Sequence, residues 1–273
     1  MSTAWFQSTE NDEDDGIGGA SGRWPARIRC PFPTHRLRLS GLSFHGALML
    51  MVNPAYPEVT EAWLAPAFWG GDGQKVSAGG RGSAWFVTSS RGELVLRLYR
   101  RGGLAAQFSD KRYFFTGLRG TRGYREFELT LHLYNQGLPV PEPVAARVDR
   151  HWVSYEARIL TRRISGARPL PEVQNLDDEA LWYEVGRTVR RFHDTGLDHV
   201  DLNVDNILIV EGKVYLIDFD RCRLRTTMRD SGRWRYRNLA RLKRSMIKRC
   251  GDRGHSSVAR FWKAFYAGYG RRD

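Results

Sequence analysis

Residues 199–221 read HVDLNVDNILIVEGKVYLIDFDR. Two short apolar runs, Ile207 to Val210 and Val214 to Ile217, flank a Glu-Gly-Lys turn, a pattern that predicts a β-hairpin. The Asp and Asn residues of the stretch lie outside those runs, at the two open ends of the hairpin. Asp201 and Asn206 precede it, and Asp218 follows, twelve residues beyond Asn206. A loop, a tight hairpin and a second loop would place all three in one cleft. Two carboxylates and an amide make a hard, oxygen-rich site. Mg²⁺ takes such ligands, keeps several waters and shares phosphate oxygens. Phosphoryl transfer needs that combination, with metal on the phosphates and a carboxylate at the incoming hydroxyl.

Working outward, the chain upstream of the hairpin is strand-like over Ser83–Thr88, Glu93–Tyr99 and Trp152–Leu160. Between the last two, Tyr124, Phe127, Leu131 and Tyr134 recur at spacings of three and four. They predict a helix over about Thr121–Asn135, closed by Gly137 and prevented from continuing by Pro141 and Pro143. A second helix is expected over about Asp178–Asp194, with Leu181, Val185, Val189 and Phe192 on one face. Asp177 or Asp178 suits its start. Beyond the hairpin, Tyr236, Leu239, Leu242 and Met246, then Val258, Phe261 and Phe265, continue a helical pattern.

Strands first and helices last predict an α+β chain, with a β-rich lobe over 46–160 and an α-rich lobe over 161–273. Order is expected to begin near Trp63–Trp69. Residues 1–45 carry the acidic patch Asp12–Asp15 and Gly, Ser, Pro and Arg without periodicity. They read as disordered, or as an extension ahead of a true start at Met49 or Met51.

Nine Trp and a hydrophobic fraction of 41% are ample for a core. The formal net charge of +13 favours anionic partners, namely nucleic acid, an acidic membrane face or an acidic substrate, and charge alone does not choose among them. Cys30, Cys222 and Cys250 are odd in number and widely spaced, which fits buried or inert thiols in a reducing compartment. No run approaches the ~20 apolar residues needed to cross a bilayer, so the expected address is the cytoplasm.

The string His199-Val200-Asp201-Leu202-Asn203-Val204-Asp205-Asn206 resembles the kinase catalytic loop H-x-D-L-x-x-x-N. Asp218-Phe219-Asp220 resembles the metal-binding D-F-G, with Asp in place of Gly. The resemblance implies a protein-kinase-like two-lobed fold, with a β-rich N-lobe and an α-rich C-lobe. It also implies that Asp201 is the catalytic carboxylate, that Asn206 and Asp218 hold Mg²⁺, and that His199 packs and hydrogen-bonds the loop.

Upstream, Gly80-Arg81-Gly82-Ser83-Ala84-Trp85-Phe86-Val87 resembles the Gly-rich loop G-x-G-x-x-G-x-V, with Trp85 at the third Gly. This implies nucleotide binding by Gly80, Gly82 and Val87. The strand Leu94–Tyr99 stands where a kinase carries its phosphate-binding Lys, and it has none. Arg97 is the candidate and Arg100 the runner-up, although Arg is bulkier than Lys and not equivalent to it. Glu126, with Glu128 as alternative, would pair with that cation.

Asn203 lies two residues past Asp201, where protein kinases usually show Lys and aminoglycoside-type phosphotransferases often His. No A-P-E segment follows Asp218. Both features argue against a regulated protein kinase. Leu96 to Gly103, Gly137 to Pro143, His199 to Leu208 and Tyr215 to Arg221 together are similar to the 3-deoxy-D-manno-octulosonic acid (Kdo) kinase family, over roughly residues 60–270. The chain is similar, more distantly, to lipopolysaccharide heptose kinases.

The resemblance implies ATP-dependent phosphorylation of the 4-hydroxyl of Kdo on lipid A, by a peripheral protein on the cytoplasmic face of the bacterial inner membrane. An acidic sugar, lipid phosphates and an acidic leaflet would then account for the basic balance. From Arg221 to Arg249 basic residues dominate, interleaved with Trp234 and Tyr236. Each Lys or Arg near an anionic surface contributes about 1 kcal/mol. The competing readings are another small-molecule, heptose or protein kinase, and a nucleic-acid-binding module. The last leaves Asp201, Asn206 and Asp218 without purpose, so no nucleic-acid partner is expected.

Overall fold

The computed structural model of the chain describes residues 4–5, 36–43, 46–75, 84–99, 113–225, 232–250 and 255–270. Its first half is a sheet of β1 (Ala4–Trp5), β2 (Arg36–Ser43), β3 (Gly46–Val52), β4 (Gly73–Lys75), β5 (Ala84–Ser89), β6 (Gly92–Leu98), β7 (Tyr113–Phe114), β8 (Pro143–His151) and β9 (Ser154–Arg162). The order is β1-β2-β3-β8-β9-β6-β5-β4, with β7 beside β9, and the pairings are antiparallel.

The run Met49 to Val52 is buried without alternation because β3 is covered on both faces. Leu50 and Val52 pack with Tyr56, Leu64 and Trp69, whereas Met49 and Met51 pack with Phe127 and Leu131. Order therefore begins well before Trp63. The expectation that residues 1–45 lack fixed structure also fails over Arg36–Ser43, which pairs with β3 from Arg36↔Val52 to Ser43↔Gly46. Arg36-Leu37-Arg38-Leu39-Ser40 has the period-two alternation of a strand. That signal is short and lies next to sequence rich in Gly and Pro.

Helix α1 (Arg122–Asn135) lies across β8 and β9. It faces two ways. Phe127 and Leu131 enter the cluster under the sheet, while Leu129 and Leu133 join the core of the second half. The helix stops where Gly137 turns left-handed (φ 71), as its sequence position predicts. The N–H groups of Gly137 and Leu138 then return to the carbonyls of Tyr134 and Leu133, at 2.9 and 3.1 Å.

The second half contains β10 (Arg168–Pro169), α2 (Glu179–Asp194), β11 (Leu197–Asp198), β12 (Ile207–Val210), β13 (Lys213–Leu216), β14 (Arg223–Leu224), α3 (Arg233–Cys250) and α4 (His255–Gly270). Asp178 caps α2 by accepting from the Ala180 N–H at 2.9 Å. Helices α2 and α4 cross at two glycines. A Cβ on Gly186 would stand 2.0 Å from the Phe265 carbonyl oxygen, and one on Gly268 would stand 2.0 Å from that of Tyr183. This close crossing lets Trp182 stack on Phe261 at 5.2 Å in the centre of the core. Cys222 and Cys250 are buried thiols, and burial pushes the Cys222 pKa upward. Cys30 lies outside the described residues.

Candidate active site

The expected hairpin forms as β12 and β13, from Ile207↔Leu216 to Val210↔Lys213. At its open end the Ile217 N–H donates to the Asn206 carbonyl at 3.1 Å. That bond sets Asp218 one residue beyond the partner of Asn206. The two side chains share an end of the hairpin for this reason. A surface cleft of about 280 Å³, lined by Gly166, Asn175 and Gly212 among others, lies at the opposite, turn end and takes no part in this grouping.

The loop from His199 to Asn206 is held by its own amides. Asn203 Oδ1 accepts from the N–H groups of Asp205 and Asn206 at 2.9 and 3.0 Å, and its Nδ2 donates to the Asp201 carbonyl at 3.0 Å. Asn206 Nδ2 donates to that same carbonyl at 3.0 Å. The Asp201 backbone is thereby pinned while its side chain stays 51% exposed.

His199 is buried. Its N–H donates to Asn238 Oδ1 at 2.9 Å, and its Nε2 lies 3.1 Å from the Ile217 carbonyl. Burial lowers its pKa, so the ring is neutral near pH 7 and donates from Nε2. Asn238 Nδ2 also donates to Asp198 Oδ1 at 3.0 Å, and Arg225 grips Asp198 Oδ2 through Nε and Nη2 at 3.0 and 2.8 Å. The sequence reading missed Asn238. Its signal is the stripe Trp234, Asn238, Leu242, Met246, a spacing of four with one amide among apolar residues, all four buried.

On the sheet side, Arg97 donates through Nη1 to Asp218 and through Nη2 to Glu126, and the Tyr99 hydroxyl donates to the other Glu126 oxygen. The structure thus pairs Arg97 with Glu126, the first choice in each case, while the runner-up Arg100 lies outside the described residues. Burial raises the Glu126 carboxyl above its ordinary range, and Arg97 only partly opposes this. Burial also pushes Asp218 up, but the charge of Arg97 and its hydrogen bond outweigh that and hold Asp218 below the usual carboxylate range. Desolvation works against the charge on Arg97, yet Glu126 and Asp218 keep its pKa well above the ordinary value.

Asp220, in the place of a Gly, accepts from Arg122 Nε at 2.7 Å. Arg122 opens α1, and its Nη1 donates to the Tyr113 hydroxyl at 2.6 Å. This bond ties the segment after the hairpin to the start of α1, a role that the sequence reading did not give it.

Val87 is not brought to the site. Antiparallel partners share a face, and the pairs Ala84↔Arg97 and Phe86↔Val95 place Ala84, Phe86 and Val95 on the face of Arg97. Val87 pairs with Leu94 on the other face and is 1% exposed within the cluster of Leu64 and Trp69. The register of β5 is one residue away from the one the Gly-rich pattern implied. Gly80 and Gly82 lie outside the described residues.

Among the described residues no group of three His, Cys, Asp or Glu converges as a metal cage. Mg²⁺ is commonly bound by one or two carboxylates, with phosphates and water completing the set. The ionised Asp218 and the Asn206 Oδ1, left as acceptor once Nδ2 is used, fit that pattern.

A pinned acid-bearing loop, a hairpin with an amide and a carboxylate at one end and a strand cation clamped by a helix carboxylate occur together in one class of protein, the phosphotransferases of the protein-kinase-like α+β fold. Comparison with known proteins narrows the class. The chain belongs to the lipopolysaccharide kinase (Kdo/WaaP) family, whose sequence model matches residues 66–269. It is 46% identical over 214 residues to the 3-deoxy-D-manno-octulosonic acid kinase of Xylella fastidiosa (strain 9a5c), covering 78% of this chain and 85% of that one. It is 43% identical over 208 residues to that of Xanthomonas campestris pv. campestris (strain B100), covering 76% and 82%. Among solved structures, WaaP in complex with acyl carrier protein is similar at 17% identity and a TM-score of 0.49, covering 82% of this chain and 89% of that one.

Proposed function

We propose that the chain transfers the γ-phosphoryl group of ATP to the 4-hydroxyl of Kdo on Kdo–lipid A during assembly of the lipopolysaccharide core. The observation that carries this reading is the joint placement of Asp201, Asn206, Asp218 and the Arg97–Glu126 pair in a chain of the Kdo/WaaP family. Relatives at 43% and 46% identity are named Kdo kinases.

In this reading the Asp201 carboxylate receives the proton of the acceptor hydroxyl. The new O–P bond forms as the bond to the bridging oxygen of ADP breaks. Asp218 and Asn206 would hold Mg²⁺, which supplies positive charge against the phosphates. Arg97, set by Glu126, contacts the phosphates, and the backbone of Gly80 and Gly82 is expected to do the same. The nucleotide base lies against Ala84, Phe86 and Val95 rather than Val87. Phe86 already carries the Arg163 guanidinium 3.8 Å over its ring.

The same reading puts the protein on the cytoplasmic face of the inner membrane as a peripheral protein. No helix of the described residues is long and apolar enough to cross a membrane. Support comes from α3, where Arg233, Arg237, Arg244 and Lys248 are exposed along with Tyr236 (73%) and Ile247 (48%). Cations with intervening apolar side chains suit an acidic lipid surface. Binding to anionic vesicles should weaken with salt, which screens exposed charges beyond about 8 Å at physiological ionic strength. For the acceptor, mass spectrometry of lipopolysaccharide from a strain lacking this protein should show Kdo without its phosphate. An unchanged core would overturn the reading.

A further inference from the structure

Asn203 stands where a protein kinase usually has a Lys close to its catalytic Asp, and its side chain is spent on the loop, with two bonds received and one given. A cation reaches Asp201 from elsewhere. Arg241 Nη1 lies 3.7 Å from Asp201 Oδ1, with side chains 48% and 51% exposed. A half-exposed pair at that distance does little for stability, so folding does not account for its placement.

The helix register holds it there. Asn238 accepts from the His199 N–H at 2.9 Å, and Ser245 Oγ accepts from the Val204 N–H at 3.1 Å. Positions 238, 241 and 245 share one face of α3. Arg241 therefore sits between the two points at which α3 grips the catalytic loop.

The acceptor proposed above is a sugar acid, and this inference rests on that reading. Its carboxylate must come close to the Asp201 carboxylate, and like charges repel. A guanidinium beside Asp201 removes the repulsion and offers a planar fork that matches a carboxylate. We propose that Arg241 binds the carboxylate of the acceptor sugar and so orients its hydroxyl on Asp201. The alternative ligand, the phosphoryl group in transfer, is less favoured. Asp218 already has Arg97 as its cation, and Arg241 is carried by α3 and stays half open to solvent.

The test is steady-state kinetics of wild type, Arg241→Ala and Arg241→Lys with Kdo–lipid A, and with the same lipid carrying Kdo as its methyl ester. Arg241→Ala should raise the acceptor KM about 10- to 100-fold, the size of a charge-assisted pair, and leave the ATP KM unchanged. Lys should restore part of the affinity. The ester should be a poor acceptor for wild type and no poorer for Arg241→Ala. A fall in kcat with an unchanged acceptor KM would assign Arg241 to the phosphoryl group instead and overturn the proposal. So would an equal penalty on acid and ester. Absence of label from the wild-type enzyme on either lipid would instead overturn the acceptor reading itself.

Discussion

Replacing Arg97 by Met removes the cation between Glu126 and Asp218 and keeps an apolar stem. Glu126 is 5% exposed, so the loss leaves a buried carboxylate with the Tyr99 hydroxyl as its remaining donor from this cluster. Breaking a buried pair from one side costs about 3–5 kcal/mol. The Asp218 side chain is 34% exposed, and water screens part of its share. A loss of about 3 kcal/mol at pH 8 is therefore expected, near the lower end of that range.

The sign with pH follows from Glu126. Its pKa is already raised by burial, and removing Arg97 raises it further. A carboxyl raised in the folded state holds its proton more tightly folded than unfolded. Stability then falls as pH climbs from the unfolded value of ~4.3 through the folded one, and acid restores it by about 1.4 kcal/mol for each tenfold difference in proton affinity between the two states. In wild type the depressed Asp218 loses its contribution only as pH falls towards and below ~3.9, so that contribution is the same at pH 5 and pH 8. Without Arg97, burial is left as the main influence on Asp218 and raises it, so in the variant it acts in the same sense as Glu126. Denaturant unfolding at those two pH values should show a gap between wild type and Arg97→Met that is narrower at pH 5 by about 1 kcal/mol or more. An equal gap at both would refute the view that Arg97 chiefly neutralises Glu126.

Asp201→Asn should lower transfer by about 10²–10⁴-fold with ATP binding retained; a drop below tenfold would remove Asp201 from the chemistry. Asp220→Gly restores the usual kinase triplet but leaves Arg122 without its carboxylate, so amide exchange over residues 122–126 should quicken and the ATP KM should rise. Unchanged exchange and KM would mean that the pair does not hold α1. Gly186→Ala sets a Cβ 2.0 Å from the Phe265 carbonyl oxygen and forces α2 from α4, at a cost of about 3 kcal/mol. A melting temperature within a degree of wild type would show that the crossing yields freely.

The hairpin was legible because its evidence is local, with apolar runs, a turn and polar ends all within 23 residues (199–221). The Arg97–Glu126 pair was legible only through resemblance, since 29 positions separate the two residues. Asn238 and the Arg122–Asp220 bond were not legible. The stripe of four marks Asn238 as a buried amide, but the partners lie 39 and 98 positions away, and no period in the sequence says which they are. Val87 failed because the face of a strand residue depends on where the strand begins, and a shift of one residue reverses it. The order from Gly46 onward was hidden for a related reason. A strand covered on both faces loses its alternation, and what covers β3 lies far along the chain.

The central claim concerns the acceptor, and labelled transfer tests it most directly. The protein is given ATP carrying a radioactive γ-phosphate, with Mg²⁺ and one of three acceptors: Kdo–lipid A, lipid A lacking Kdo, or a generic protein. Label should appear on the Kdo-bearing lipid alone, at the 4-hydroxyl, and vanish with Asp201→Asn. Equal labelling of lipid A without Kdo, or preferential labelling of the protein, would contradict the account.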